Sequence, residues 1–285
     1  MSDELDSAFG KFCDVDLSRF RHPVFIIGAP RTGSTLLFQA MLGQFSLSYI
    51  SNAMALMPSL MTRFCKIWPR LAVNYDGNIR QSQYGFVPGM FSPNEAGRLC
   101  RKWFEEDGNE KDAICTMASL FSITRYPVLI KNIFNSNRLG NIRKIFPESR
   151  FIFIKRDPLF AAQSILIARK KIMGSYEQWW SIRPDGYRRV IGRSPFYQVL
   201  WQIQSIEDKI LNDLKGEMIT VCYEDFCQSP DLVLKTIEDE IGLQRRRDCL
   251  PLRSVKNSNR VSLEQEEWDV LMEYYHKYYE KKSNE

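Results

Sequence analysis

Histidine is almost missing from this chain: His22 and His276 are the only two in 285 residues. The first stands just before an apolar run and the second lies in a C-terminal helical pattern. Each reads as a surface or packing residue rather than a catalytic base. Cysteine pairs at metal or redox spacing are missing too. Seven cysteines are scattered at 13, 65, 100, 115, 222, 227 and 249, with no C-x-x-C among them. The spacer Tyr223-Glu224-Asp225-Phe226 between Cys222 and Cys227 is not a common zinc spacing. An odd number of scattered cysteines fits reduced thiols in a reducing compartment. No apolar run reaches the ~18–20 residues that cross a bilayer. Residues 1–6 are acidic and polar, unlike the start of a signal peptide. The expectation is a cytoplasmic protein with no integral membrane segment. Excess charge is small as well: 39 basic residues against 34 acidic ones leave +5, with basic clusters at 188–193 and 245–247. That supports a modest preference for anionic ligands and predicts no nucleic-acid partner.

What the chain does have is short, nearly continuous apolar runs. Residues 24–28, 128–131, 151–154 and 218–222 read as strands buried on both faces, hence a parallel sheet. Helical patterns alternate with them at 33–42, 137–146 and 158–169, the last opening on a proline suited to a first turn. Ser229-Pro230-Asp231 looks like a cap and first turn, with Gly242 as the stop. Ser262 and Gln265 have the spacing of a capping box for a C-terminal helix. No repeat interrupts the alternation, which predicts one α/β domain over 1–285, a doubly wound parallel sheet flanked by helices. Residues 173–193 stand apart, rich in aromatics, arginines and glycines. They read either as a lid over an acceptor site or as a packed loop without chemistry.

The strongest motif is Gly28-Ala29-Pro30-Arg31-Thr32-Gly33-Ser34-Thr35, which follows the first apolar run. Strand, glycine turn and helix start converge backbone N–H groups on one point, a phosphate cradle. Gly28 and Gly33 have the two-glycine spacing of a Walker loop, but Ser34 occupies the lysine position. Without that lysine a triphosphate is disfavoured and a single phosphate in the cradle is expected. Arg31 supplies a cation from inside the loop, able to stabilise charge on a bridging oxygen and a transferring group. A second motif, Lys155-Arg156-Asp157-Pro158, ends the third apolar run, with Ser164 about two turns into the next helix. An arginine at a strand's carboxyl end lies at the ligand edge of an open α/β sheet. A Walker B aspartate at Asp157 and a structural Arg156–Asp157 pair are the competing readings.

Residues 30–35 resemble the 5′-phosphosulfate loop of sulfotransferases that use 3′-phosphoadenosine 5′-phosphosulfate (PAPS). That loop runs proline, basic residue, Ser/Thr, glycine and two hydroxyl residues. The resemblance is to the arginine-loop branch, common in bacterial and in carbohydrate or tyrosyl sulfotransferases. It implies a P-loop NTPase-like sulfotransferase fold and PAPS as donor, with no metal. It assigns Arg31, Thr32, Gly33, Ser34 and Thr35 to the 5′ side of the donor and Arg156 with Ser164 to the 3′-phosphate. Lys131, ending Pro127-Val128-Leu129-Ile130-Lys131, matches a family lysine that reaches the sulfonate or leaving phosphate, with an ordinary strand-end lysine as the alternative. Tyr223-Glu224-Asp225 resembles a family segment before a late helix and is expected to be structural.

The chain departs from the relatives that act on small phenols and steroids. Where they carry a catalytic histidine, two residues past the strand lysine, this chain has Ile133. A carboxylate is then the natural base, and Glu95 is the candidate, expected to open a helix whose N-terminus holds it ionised. Plain helix-dipole complementation is the alternative. The resulting expectation is sulfonate transfer from PAPS to a hydroxyl of a small-molecule or glycan acceptor, such as a glycolipid. A P-loop kinase or NTPase and a non-catalytic nucleotide-binding module are the competing functions.

Overall fold

The structure is a computed structural model and describes residues 23–56, 69–73, 75–247, 249, 251–252 and 255–282. Four strands form one parallel sheet: β1 (Val24–Ile27), β2 (Leu129–Lys131), β3 (Arg150–Lys155) and β4 (Ile219–Cys222). Their spatial order is β2-β1-β3-β4, with Ile26 paired to Lys131 and to Ile152, and Lys155 paired to Cys222. The chain leaves β1 to one side for β2, then crosses to the other side for β3. The loop after β1 therefore sits at the point where the winding reverses, the usual ligand crevice of such sheets.

Alternate strand residues point to opposite faces, and both faces are covered. Phe25, Ile27, Phe151 and Phe153 belong to one core with residues of α2 (Gly97–Phe104), α3 (Glu110–Thr124), α4 (Leu139–Ile145), α5 (Pro158–Met173) and α6 (Pro195–Leu214). Leu271 of the C-terminal helix α9 (Gln265–Lys282) joins the same cluster. Val24, Ile26, Ile152 and Ile154 form the other core with α1 (Ser34–Gln44), α7 (Tyr223–Gln228) and α8 (Pro230–Ile241). This is the doubly covered parallel sheet expected from continuous apolar runs. Among the described residues no helix is long and apolar enough to cross a membrane.

Helix ends follow local chemistry. Asp157 accepts the Leu159 N–H at 2.8 Å ahead of Pro158, and Gly174 stops α5 at φ 79°. Gly242 stops α8 at φ 72°. Three expectations are revised. The capping box at Ser262 does not form, because the Gln163 side-chain oxygen Oε1 takes the N–H groups of Ser262 and Leu263, so α9 begins at Gln265. The pattern at 137–146 begins as a 3-10 turn over Ile133–Asn137, where the Asn132 side chain accepts the Phe134 N–H, and only then becomes α4. Cys115 is disulfide-bonded whereas Cys100, Cys222, Cys227 and Cys249 are free, so the reading of uniformly reduced thiols does not hold. His22 lies outside the described residues.

The segment 173–193 is pinned from below by three buried polar side chains on α5 and α6. Arg169 donates to the Tyr176 carbonyl and to Gln198, and its guanidinium lies 4.9 Å from the centre of the Trp179 ring. Gln198 donates to Ile191 and Arg193 carbonyls, and Gln202 to those of Trp180 and Ile182. Burial pushes the Arg169 guanidinium down to about 10, and no carboxylate among the described residues forms an ion pair with it. Removing the guanidinium strands amide and carbonyl oxygens in a dry interior. We predict that Arg169→Ala lowers stability by roughly 2–4 kcal/mol, read from urea unfolding. A change below about 0.5 kcal/mol, the size expected of a surface substitution, would show that the network is dispensable.

Candidate active site

The carboxyl ends of all four strands meet on one edge, and each delivers a polar element there. After β1 the chain turns through residues 28–33 with Gly28 at φ 154°, Arg31 at 69° and Gly33 at 88°. Gly33 is forced twice over: its φ lies in the left-handed region, and a Cβ would collide with the Tyr223 ring. Ser136 grips the start of the loop by accepting the Gly28 N–H and donating to the Gly28 carbonyl, both at 3.1 Å. Thr32 is fully buried and donates to the Ala29 carbonyl at 2.9 Å, so its hydroxyl braces the loop from inside. Among the described residues, no acceptor takes the backbone N–H groups of residues 32–35. Unbonded amides converging at a helix start leave a cradle that suits an anion.

Arg156 follows β3 and reaches back to the loop, donating to the Arg31 carbonyl at 3.0 Å. Arg31 Nε in turn donates to Ser164 Oγ at 2.9 Å. The two sequence motifs therefore meet directly, with α5 leaning over the loop. Arg156 also bonds Asn259 at 2.8 Å and Ser258 at 3.2 Å, and its guanidinium lies 4.6 Å from the centre of the Tyr223 ring. Burial first, and then repulsion from Arg156, lowers the Arg31 guanidinium below the ordinary arginine range. Burial lowers Arg156 as well. Neither is in an ion pair with a carboxylate among the described residues. Two crowded cations, with Glu224 and Asp157 near Arg156 but in no ion pair with it, form a site that a multiply charged anion completes.

Lys131, at the end of β2, is 3% exposed and ion-paired with Glu95, which is 25% exposed. Glu95 does not open a helix as expected: Ala96, at φ 52°, caps α2, and the helix starts at Gly97. The carboxylate thus lies on the loop before the helix, and its neighbour is Lys131 rather than the helix N-terminus. Gly85 makes the space for it, since at φ 100° a Cβ there would overlap Glu95 Oε1.

A cavity of about 950 Å³ joins these parts, bordered by Arg31, Ser34, Thr35, Glu95, Lys131 and Arg156. Among the described residues five basic ones line it, the other two being Arg80 and Lys256, against the single carboxylate of Glu95. Thr32 is buried behind the wall, and Ser164, half-buried, touches the site through Arg31. Sequence reasoning missed Tyr84, Ser136 and Ser258, which belong to no recognisable motif. It also took Tyr223 as structural, whereas Tyr223 lines the cavity and packs on Gly33 and Arg156. Of the segment 173–193, Trp180 and Ser181 reach the cavity, while Trp179 and Ile182 are buried in packing. Among the described residues no cluster of three or more His, Cys, Asp or Glu could hold a metal ion.

An α/β sheet with a Walker-spaced loop and a cation-lined crevice at its strand ends defines a P-loop-like fold. Residues 23–247 match the sulfotransferase family, and the chain belongs to that family. No curated protein sequence matches it. Sulfotransferase STF1 from Mycobacterium tuberculosis is similar in fold, with a TM-score of 0.52 at 14% identity over 85% of this chain and 72% of that one. Sulfotransferase STF9 from Mycobacterium avium aligns with a TM-score of 0.50, also at 14% identity, over 96% of this chain and 80% of that one. The P-loop-like sulfotransferase fold is thereby shared across very different sequences, and the family match displaces the kinase reading.

The contact between Gly85 and Glu95 yields a test of the site that spares its polar groups. Gly85→Ala should displace the Glu95 carboxylate and lower turnover more than tenfold. The backbone strain should cost about 1–3 kcal/mol of stability. Steady-state rates beside an unfolding curve read both, and undiminished turnover would show that Glu95 need not occupy its present position.

Proposed function

We propose that the chain transfers a sulfonate from PAPS to the hydroxyl of a small-molecule or glycan acceptor, acting as one domain over 1–285. The observation that carries this reading is the direct contact of the two motifs: Arg31 bonded to Ser164, and Arg156 bonded to the Arg31 carbonyl. A donor with one phosphate in the loop and a second on the ribose calls for cation sites this close together. The free N–H groups of residues 32–35, with the hydroxyls of Ser34 and Thr35, suit the 5′-phosphate. Arg156 and Ser164 suit the 3′-phosphate. Thr32 supports the loop from behind rather than from the cavity.

Sulfonate transfer is an in-line displacement in which the acceptor oxygen bonds sulfur, the bond from sulfur to the phosphate oxygen breaks, and the electron pair leaves with the bisphosphate. Arg31 and Lys131 are the cations that stabilise charge on the leaving oxygen and on the sulfonate. Glu95 is the group that takes the acceptor proton. In the ligand-free state Lys131 holds the Glu95 carboxylate at the cavity wall. An anion near Lys131 competes for that ammonium and frees the carboxylate for the acceptor hydroxyl. Donor and base are thus coupled through one lysine. The disulfide at Cys115 removes the cysteine argument for a cytoplasmic setting, and the proposal includes no metal.

Calorimetric titration should show 3′,5′-adenosine bisphosphate binding at least tenfold more tightly than ATP with Mg²⁺. The reverse order would overturn the donor assignment. Glu95→Gln should remove more than nine-tenths of turnover and leave the bisphosphate Kd within about threefold. Near-normal turnover would remove Glu95 from its role.

A further inference from the structure

The acceptor side of the cavity is built from a feature that the sequence reading passed over. Residues 83–86 form a two-residue hairpin turn, with Gln83 and Phe86 exchanging both backbone hydrogen bonds at 2.9 and 3.0 Å. Tyr84 and Gly85 both have positive φ, 50° and 100°, as a type I′ turn requires. Asparagine, aspartate or glycine is the usual first residue of such a turn, and a tyrosine there is strained. Strain of this kind persists where the surroundings hold it in place and gathers at functional sites. Tyr84 is held in this way: the Arg31 guanidinium lies 5.4 Å from its ring centre, and the Trp180 ring meets it edge-on at 5.6 Å.

Trp180 is fixed as firmly from the other side. Gln202 Nε2 donates to the Trp180 carbonyl at 3.2 Å and to the Ile182 carbonyl at 2.7 Å, spanning Ser181, itself at φ 72°. Two strained turns from distant parts of the chain thus present Tyr84 and Trp180 side by side on the cavity wall. Ile79, Ile133 and Phe134 extend the same surface, with Tyr84 36% and Phe134 40% exposed. The arginines of segment 173–193 do not contribute. Arg183 lies over Tyr187 at 5.2 Å and Arg193 over Tyr197 at 5.4 Å, and neither they nor Arg188 and Arg189 line the cavity.

We infer that Tyr84 and Trp180 form an acceptor subsite for a hydroxyl carried on a flat apolar ring body, a phenol or ring alcohol, in preference to a free sugar. The inference rests on the acceptor reading of this cavity given above. Aromatic faces and aliphatic side chains gain from desolvating a flat apolar surface, and this part of the wall offers few partners to the several hydroxyls of a free sugar, the polar Gln81, Ser82 and Ser181 flanking it. Glu95 lies against the same turn, through Gly85, so a hydroxyl at the edge of a ring on this wall is close to the proposed base.

The test is binding to the protein saturated with 3′,5′-adenosine bisphosphate, with 2-naphthol and lactose as probes in calorimetric or saturation-transfer titrations. The expected result is a naphthol Kd at least tenfold below that of lactose. Trp180→Ala and, independently, Phe134→Ala should raise the naphthol Kd at least fivefold with the bisphosphate Kd unchanged, and Trp180→Phe should recover most of the loss. Equal affinity for the two probes, no binding of either, or a naphthol Kd indifferent to both alanine variants overturns the subsite. Failure of the bisphosphate itself to bind overturns the donor assignment instead. Since Phe134 is exposed, its variant keeps the inference falsifiable should Trp180→Ala fail to fold.

Discussion

Arg31 and Arg156 are crowded together at the edge of the sheet, and among the described residues no carboxylate forms an ion pair with either. Glu224 and Asp157 oppose the charge of Arg156 only from a distance, and the site is organised around that excess of positive charge. Each guanidinium is depressed by burial, and Arg31 by its neighbour as well. Such an arrangement opposes folding unless other forces hold it. Here the backbone does so. Arg156 is tied to the Arg31 carbonyl, Arg31 to Ser164, and the loop between them is clamped by Ser136 and by Tyr223 against Gly33. The protein keeps two crowded cations beside a row of unbonded amides, which is stored affinity for an anion carrying more than one charge.

Parallel winding explains why these groups meet. Gly28, Asn132, Arg156 and Tyr223 each follow the carboxyl end of a strand, and the four strands end on one edge. Residues more than a hundred positions apart become neighbours without any local sequence signal linking them. The carboxylate and lysine on the acceptor side illustrate the same logic. Lys131 is delivered by β2 and Glu95 by the loop before α2, and the missing Cβ of Gly85 lets the pair close.

Much of this was legible in the sequence, for physical reasons. Strands buried on both faces must be largely apolar, so β1, β2 and β3 were visible to within a residue or two at their ends. β4 was found as well, but as the edge strand it leaves Thr220 exposed and, contrary to expectation, is not covered on both faces. The loop from Gly28 to Thr35 was legible because its backbone geometry demands glycine at Gly33 and polar groups around it. Arg156 was legible from its place after an apolar strand, and Ser164, which Arg31 bonds, from family spacing. Tyr84 was not, since a tyrosine in a left-handed turn contradicts local propensity and is fixed only by Arg31 and Trp180. The setting of Glu95 was misjudged because a left-handed Ala96 delays the helix, and nothing in the sequence favours that conformation at an alanine. The failure of the Ser262 cap has a similar origin: a distant side chain, Gln163, takes the N–H groups that a local cap would have left free.

The central claim is that Arg31 contributes repulsion to the empty protein and attraction to the occupied one. Thermal unfolding of wild type and Arg31→Met, each with and without 3′,5′-adenosine bisphosphate, tests it directly. The account predicts that the ligand-free variant melts no lower than wild type, while the rise in Tm produced by the bisphosphate is largely lost. A ligand-free variant that melts well below wild type, or one that keeps the full rise, would contradict it.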